Sequence, residues 1–169
     1  MQALVDGYFR ALKLAAAALL AVMVVLVFGN VVLRYAFNSG ITVSEELSRW
    51  AFVWLVFLGA IVGLREHAHL GMDTLVRLLP NLGKRACFVL SHVLMLLATW
   101  LLTAGSWQQT RINWDTTAPA SGWSEGWVYL AGFVFGVSAL VILAAELWRG
   151  LSGRMRDEDL VTVRESEEH

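Results

Sequence analysis

The sequence predicts an all-α integral membrane protein with four transmembrane helices, on the basis of its composition and of four long apolar runs. Hydrophobic residues make up 57% of the 169 residues and charged residues only 16%, and the mean hydropathy is +0.60. A soluble domain carries about 25% charged residues, because its surface must stay hydrated. The composition therefore excludes an ordinary soluble domain, and the net charge of −1 gives no indication of nucleic-acid binding.

The four apolar runs predict the four spans in order. A helix needs roughly 20 apolar residues to cross the hydrocarbon core of a bilayer. The first run, 14–33, follows Arg10 and Lys13 as in a signal peptide, but no small-residue cleavage site follows it, so we expect a retained span. The second run, 50–64, is short and needs a helical extension at one end. The third and fourth spans are predicted at 86–104 and 127–145.

The positions of the basic residues predict that both termini face the cytoplasm of a bacterial inner membrane. The N-terminal segment, the loop after span two and the C-terminal part share one side of a four-span protein, and they hold 10 of the 13 Lys and Arg residues. Cytoplasmic segments carry such an excess. We therefore expect residues 1–151 to form one transmembrane domain and residues 152–169 to form a charged, disordered cytoplasmic tail.

The segment between the first two spans, residues 38–49, has two interpretations. Thr42 and Glu45 have the spacing of a capping box, which marks the start of a helix. Glu45 and Glu46 share a helix face with Arg49 at separations of four and three residues. The segment forms either a short amphipathic helix along the outer membrane interface or the first turns of span two.

No Asp, Glu, Lys or Arg lies in the middle of a predicted span. Ionisable residues at mid-bilayer are costly, and where they occur they mark ion or proton pathways. The chain is therefore poorly equipped to move a solute alone. Two polar exceptions, Asn30 and His92, are expected to form hydrogen bonds with neighbouring helices. For His92, a role as a haem ligand or proton relay is the alternative.

A cluster of ionisable residues follows span two. It contains Arg65, His67, His69 and Asp73. His and carboxylate side chains at this spacing could bind a metal ion, but the adjacent Arg65 repels a cation and no fourth ligand is evident. We therefore expect ion pairs and hydrogen bonds that fix the end of the helix, and we predict no bound metal or cofactor.

Two predicted spans carry pairs of glycines four residues apart. Gly59 and Gly63 lie in span two, and Gly132 and Gly136 lie in span four. This spacing leaves a flat stripe on a helix, against which another helix can pack closely in lipid. The sequence does not indicate whether that second helix belongs to this chain or to a second membrane protein.

A longer ordered pattern lies between Asn30 and Pro80 and covers less than a third of the chain. In sequence order its residues are Asn30, Arg34, Tyr35, Phe37, Glu45, Glu46, Arg49, Phe57, Leu58, Gly59, Ala60, Arg65, His69, Asp73, Leu79 and Pro80. The pattern resembles the small membrane subunit, or Q subunit, of tripartite ATP-independent periplasmic (TRAP) transporters. Four spans with both termini inside agree with that family over the rest of the chain.

The resemblance implies a non-catalytic subunit of a heteromeric complex. In the family, a large transmembrane subunit moves sodium ions and an organic acid, such as a carboxylate or a sialic-acid-like compound. A periplasmic solute-binding protein delivers the acid, and the small subunit serves as a scaffold. The resemblance also implies structural roles for an outer and an inner group of residues. The outer group is Arg34, Glu45, Glu46 and Arg49, and the inner group is Arg65, His69 and Asp73.

Two other classes of protein stay open on the sequence alone. One is a four-helix membrane anchor for haem or quinone in an electron-transfer complex, which requires histidine ligands at matched depth on facing helices. Only His92 lies inside a predicted span. The other is a stand-alone assembly or lipid-interacting protein that has no effect on solute uptake.

Overall fold

The computed structural model describes residues 2–65 and 81–152, and these residues form four long α-helices. The helices are α1 (Gln2–Phe37), α2 (Thr42–Arg65), α3 (Asn81–Ile112) and α4 (Gly126–Leu151). Each contains a stretch long and apolar enough to cross a membrane, which confirms the predicted all-α class with four candidate spans. His67, His69, Asp73 and residues 153–169 of the predicted tail lie outside the described residues.

The helices extend beyond the apolar runs that predicted them. The candidate spans cover Val5–Phe37, Thr42–Arg65, Ala86–Ile112 and Gly126–Leu151. Hydropathy marks only the part of a helix that lies in hydrocarbon, whereas the backbone hydrogen bonds continue into the polar flanks until a turn interrupts them. The apolar runs therefore located the four helices, and the extension expected for the second run lies upstream of it, in residues 42–49.

The segment 42–49 forms the first turns of α2, so the prediction of a separate interfacial helix is wrong and the alternative interpretation is confirmed. A single helix runs from Thr42 to Arg65. No glycine or proline occurs between Thr42 and Leu58, so nothing in the chain interrupts the backbone hydrogen bonds there. The Glu45 carboxylate, which the capping box would direct at the start of its own helix, instead accepts hydrogen bonds from Asn30 and Arg34 of α1.

A tight turn joins α1 to α2 across residues 38–41. Asn38 has a φ of 49°, in the left-handed region that asparagine tolerates better than most residues. The amide of Ser39 donates a hydrogen bond to the carbonyl of Leu33 at 3.1 Å, which closes the end of α1. The turn brings the C-terminal part of α1 alongside the first turns of α2, where Ser44 donates its hydroxyl to the carbonyl of Leu26 at 2.7 Å.

The main contacts among the described residues join α1 to α2, α2 to α4 and α4 to α3. The helices therefore follow one another in space in the order α1, α2, α4, α3, rather than in chain order. The buried apolar cluster lies where α1 and α2 meet, and partly buried side chains of α4 pack against it. Its buried members are Phe9, Leu12, Leu58 and Ile61.

Many large apolar side chains point away from this cluster. Val25, Phe28, Leu101 and Val141 are each more than 60% exposed, and they lie in the centre of candidate spans. A soluble protein does not expose apolar surface on this scale. In a bilayer the same surface is in contact with lipid chains, so the exposed faces agree with the transmembrane assignment.

Candidate functional site

Polar contacts concentrate at the two ends of the helix bundle. We call them the turn end, which contains the α1–α2 turn and the α3–α4 connection (residues 113–125), and the terminal end, which contains the start of α1 and the end of α2. These ends hold most of the residues that the sequence singled out. The geometry of each end shows what its charged groups bind.

At the turn end, the Glu45 carboxylate joins α2 to α1. Its Oε1 accepts hydrogen bonds from Nδ2 of Asn30 at 3.1 Å and from Nη2 of Arg34 at 2.5 Å. Asn30 and Arg34 are four residues apart and therefore share one face of α1. Asn30 is buried, and its Oδ1 accepts the backbone amide of Ile41 at 2.7 Å. The prediction of a hydrogen bond from Asn30 to a neighbouring helix is thus confirmed.

Glu46 lies next to Glu45 but binds a different part of the chain. Successive residues of an α-helix point about 100° apart, so Glu46 faces the α3–α4 connection. Its Oε2 accepts the amide of Ala120 at 3.1 Å, and its Oε1 accepts the amide of Ser121 at 3.1 Å and the hydroxyl of the same residue. The side chain is only 4% exposed. Three donors therefore hold a buried carboxylate that ties the start of α2 to the connection.

The α3–α4 connection has internal hydrogen bonds that give Glu46 a fixed partner. Ala118 and Trp123 bond through their backbones at 2.8 Å, and an antiparallel bridge joins Thr117 to Ser124. Gly122 takes a φ of +73°, a backbone conformation that favours glycine. The sequence analysis did not predict a role for Ala120 or Ser121. Every residue except proline has a backbone amide, so the pattern of side chains does not indicate which amides will donate to the Glu46 carboxylate. Only the three-dimensional structure identifies them.

At the terminal end, Arg65 pairs with the N-terminal part of α1. Its Nη2 lies 2.6 Å from Oδ1 of Asp6, and its guanidinium carbon lies 4.1 Å from the centroid of the Phe9 ring. This ion pair fixes the end of α2, as predicted for Arg65, and its partner among the described residues is Asp6 of α1. Tyr8 adds a second contact, a hydrogen bond of 2.9 Å to Ser138 of α4.

The two glycine pairs lie in opposite environments. A Cβ atom placed on Gly132 would lie 2.6 Å from Oγ of Ser106, and one placed on Gly136 would overlap the side chain of Thr103. Gly132 and Gly136 therefore allow α3 and α4 to approach closely. A Cβ on Gly59 or Gly63 would meet no other atom of the described residues within 4 Å. The pair in α4 therefore packs closely within the chain. The pair in α2 has space around its Cβ positions, and Gly63 lines a cavity shared with side chains of α3 and α4.

His92 contacts a neighbouring helix through an acidic partner that the sequence analysis missed. Its Nε2 lies 3.7 Å from Oε2 of Glu146 on α4, and its Nδ1 lies 3.0 Å from the carbonyl of Phe88. Both side chains are mostly buried. The sequence did carry a signal for this contact. His92 and Glu146 both lie toward the ends of their helices that the basic residues predict to face the cytoplasm.

The remaining predicted residues do not form a further cluster among the described parts of the chain. Arg49 is exposed one turn along α2 from Glu46. His69 and Asp73 lie outside the described residues, so the predicted inner group is represented by Arg65 alone. No three His, Cys, Asp or Glu side chains converge as metal ligands within residues 2–65 and 81–152.

The fold and these contacts define a class, a polytopic helical membrane protein whose polar groups bind its own helices and connections. The comparison with protein families then identifies the chain more closely. A family model described as the DctQ component of tripartite ATP-independent periplasmic transporters matches residues 23–153, and the chain belongs to this family. The resemblance stated above is confirmed.

Similar proteins carry corresponding names. A TRAP transporter small permease protein of Haemophilus influenzae is 40% identical over 147 residues, which cover 87% of this chain and 91% of the relative. A second protein of that name from the same organism is 34% identical over 134 residues, covering 79% of this chain and 81% of the relative. The C4-dicarboxylate TRAP transporter small permease protein DctQ of Vibrio cholerae is 31% identical over 100 residues, covering 52% and 43%.

Membership in this family establishes the class of activity. The chain is the small permease subunit of a TRAP transporter, a multi-pass inner-membrane protein and not an enzyme. The two alternatives of a haem or quinone anchor and a stand-alone protein are superseded by this assignment.

Proposed function

We propose that this chain is the non-catalytic scaffold of a sodium-coupled, binding-protein-dependent importer of an organic acid. Its partners are a large transmembrane subunit, which carries the sodium ions and the acid, and a periplasmic solute-binding protein, which delivers the acid. The substrate belongs to the class of carboxylates and sialic-acid-like compounds. The name of the Vibrio cholerae relative includes C4-dicarboxylate, which is one member of that class.

The observation that carries the scaffold role is the way in which the chain uses its polar groups. Glu45, Glu46 and Arg65 each bind another helix or connection of the same chain. Within the described residues, every buried side-chain nitrogen and oxygen has a hydrogen-bond partner. A transport site needs polar groups that are directed at the cargo and released from it. Groups already paired with each other support a bracing role instead.

We further propose that both termini lie in the cytoplasm, that residues 1–151 form the transmembrane domain and that residues 152–169 form a cytoplasmic tail. The turn end then faces the periplasm, where the solute-binding protein approaches, and the terminal end faces the cytoplasm. Fusion of the C-terminus to green fluorescent protein or to alkaline phosphatase tests this orientation. Fluorescence without phosphatase activity is expected, and an active phosphatase would contradict it.

Purification and reconstitution test the scaffold role. The tagged chain, extracted from its host in mild detergent, is expected to bring a large polytopic subunit with it. Vesicles containing both subunits, supplied with the binding protein, should accumulate the acid when a sodium gradient is imposed. Vesicles with this chain alone should accumulate nothing. Uptake by this chain alone would overturn the proposal, and so would a complex whose uptake is unchanged when this chain is omitted.

A further inference from the structure

We propose that a cavity at the terminal end binds the phosphate group of an anionic phospholipid. The cavity has a volume of about 380 Å³ and is lined by Asp6, Phe9, Arg10, Lys13 and Arg65. This cavity is separate from the contacts at the turn end, and lipid binding there does not depend on the proposed role in transport. The recognised chemistry is a phosphate ester at the membrane surface.

The spacing of the lining residues builds one wall of the cavity from a single helix. Asp6, Phe9, Arg10 and Lys13 stand at positions i, i+3, i+4 and i+7, which share one face of α1. Arg65, the last residue of α2, forms the opposite side. Among the described residues, the lining therefore contains three cationic side chains and the Asp6 carboxylate, an excess of positive charge suited to an anion.

The Asp6 carboxylate positions one of the three cations, the guanidinium of Arg65. Asp6 accepts a hydrogen bond from Nη2 of Arg65 at 2.6 Å, while the guanidinium lies over the ring of Phe9. Phe9 is itself buried in the apolar cluster between α1 and α2. An arginine fixed in this way presents its remaining N–H groups in a constant direction, and the planar fork of an arginine suits phosphate oxygens.

The depth of the cavity favours a lipid over a soluble anion. Lys13 immediately precedes Leu14, where the first apolar run begins, and the Leu14 side chain is 65% exposed. A phosphate in the cavity therefore lies at the level of the head groups. The acyl chains of the lipid that carries it can then pass along the apolar surface of α1. Basic pockets between transmembrane helices bind anionic head groups in this manner.

Native mass spectrometry of the full-length, delipidated chain tests the proposal by titration with phosphatidylglycerol and with phosphatidylcholine. The wild-type chain is expected to prefer phosphatidylglycerol. Because each basic residue near the membrane surface contributes about fivefold to anionic lipid binding, the double variant Arg10→Gln/Lys13→Gln should bind phosphatidylglycerol roughly 25-fold more weakly. The charge-matched control Arg111→Gln/Arg149→Gln, with both positions outside the cavity, should leave the affinity unchanged. The exchange Arg10→Lys/Lys13→Arg should retain it.

Several outcomes would overturn the proposal. These are equal binding of the two lipids by the wild-type chain, an equal loss in the control variant, and binding of inorganic phosphate without binding of phosphatidylglycerol, which would indicate a soluble anion. If the double variant does not fold, the wild-type chain still provides a test. Its affinity for phosphatidylglycerol should fall as the salt concentration rises, and an affinity independent of salt would contradict an electrostatic site.

Discussion

Two glycine pairs with the same spacing have opposite surroundings in this protein. Gly132 and Gly136 face Thr103 and Ser106 of α3 at distances that leave no room for a methyl group, whereas a methyl group on Gly59 or Gly63 would meet no atom of the described chain within 4 Å. The spacing is identical, so the difference arises from the opposing element. A glycine pair indicates a helix surface that another helix can approach, and the rest of the fold decides whether one does.

The adjacent glutamates repeat this comparison with charged residues. Glu46 is buried and accepts three hydrogen bonds from the α3–α4 connection, whereas the Glu45 side chain is 52% exposed and faces Asn30 and Arg34. Both residues belong to the first turns of α2. Residue type and helix position are shared, and only the packing partner differs. Substitutions in the packed and open members of each pair therefore have unequal consequences.

The largest effect is expected for Gly136→Ala in the packed pair. The new methyl group would overlap the Thr103 side chain and lie 3.1 Å from its Cα atom, so α3 and α4 must move apart. Overpacking of this kind costs about 1–3 kcal/mol. Thermal unfolding of the detergent-purified chain, followed by tryptophan fluorescence, measures it. Gly105→Ala is the matched control, because nothing lies within 4 Å of its Cβ position. Equal unfolding temperatures for the two variants would contradict the close approach.

A smaller effect is expected for Glu46→Gln. The amide group of glutamine places N–H donors against the backbone amides of Ala120 and Ser121, so part of the hydrogen bonding is lost in a buried position. The unfolding temperature should fall further than in the control variant Glu45→Gln. Hydrogen exchange at the amides of Ala120 and Ser121 should also accelerate in Glu46→Gln alone. Acceleration of equal size in Glu45→Gln would show that Glu46 does not hold the connection.

Next in size is Arg34→Gln, which removes an ion pair with both partners more than half exposed. Exposed ion pairs contribute about 0–1 kcal/mol, because water and salt screen them.

Asn30→Ala should destabilise the chain more than Arg34→Gln. It removes a buried side chain that accepts the amide of Ile41 and donates to the Glu45 carboxylate, although it removes no charge. The unfolding temperatures of the two variants give the comparison, and the reverse order would indicate that charge dominates at the turn end.

The sequence predicted the parts of this structure that depend on local patterns. Apolar runs located all four helices, and the position of the polar Asn30 near the end of the first run predicted its hydrogen bond to a neighbouring helix. The order of helices in space did not follow from any run. That order depends on which side chains meet in the folded chain, as Phe9 of α1 meets Leu58 and Ile61 of α2 in the buried apolar cluster. Partners far apart in the chain, such as Glu46 with Ser121, were missed for the same reason.

The smallest effect on the isolated chain is expected for Gly59→Ala/Gly63→Ala in the open pair. Neither methyl group meets the described chain, and alanine favours a helix over glycine by about 1 kcal/mol. The unfolding temperature of the purified chain should therefore not fall. If this surface packs against the large subunit, less of that subunit should co-purify with the variant than with Gly105→Ala. A lower unfolding temperature would show instead that Gly59 and Gly63 pack within the chain, which would remove the contrast between the two pairs.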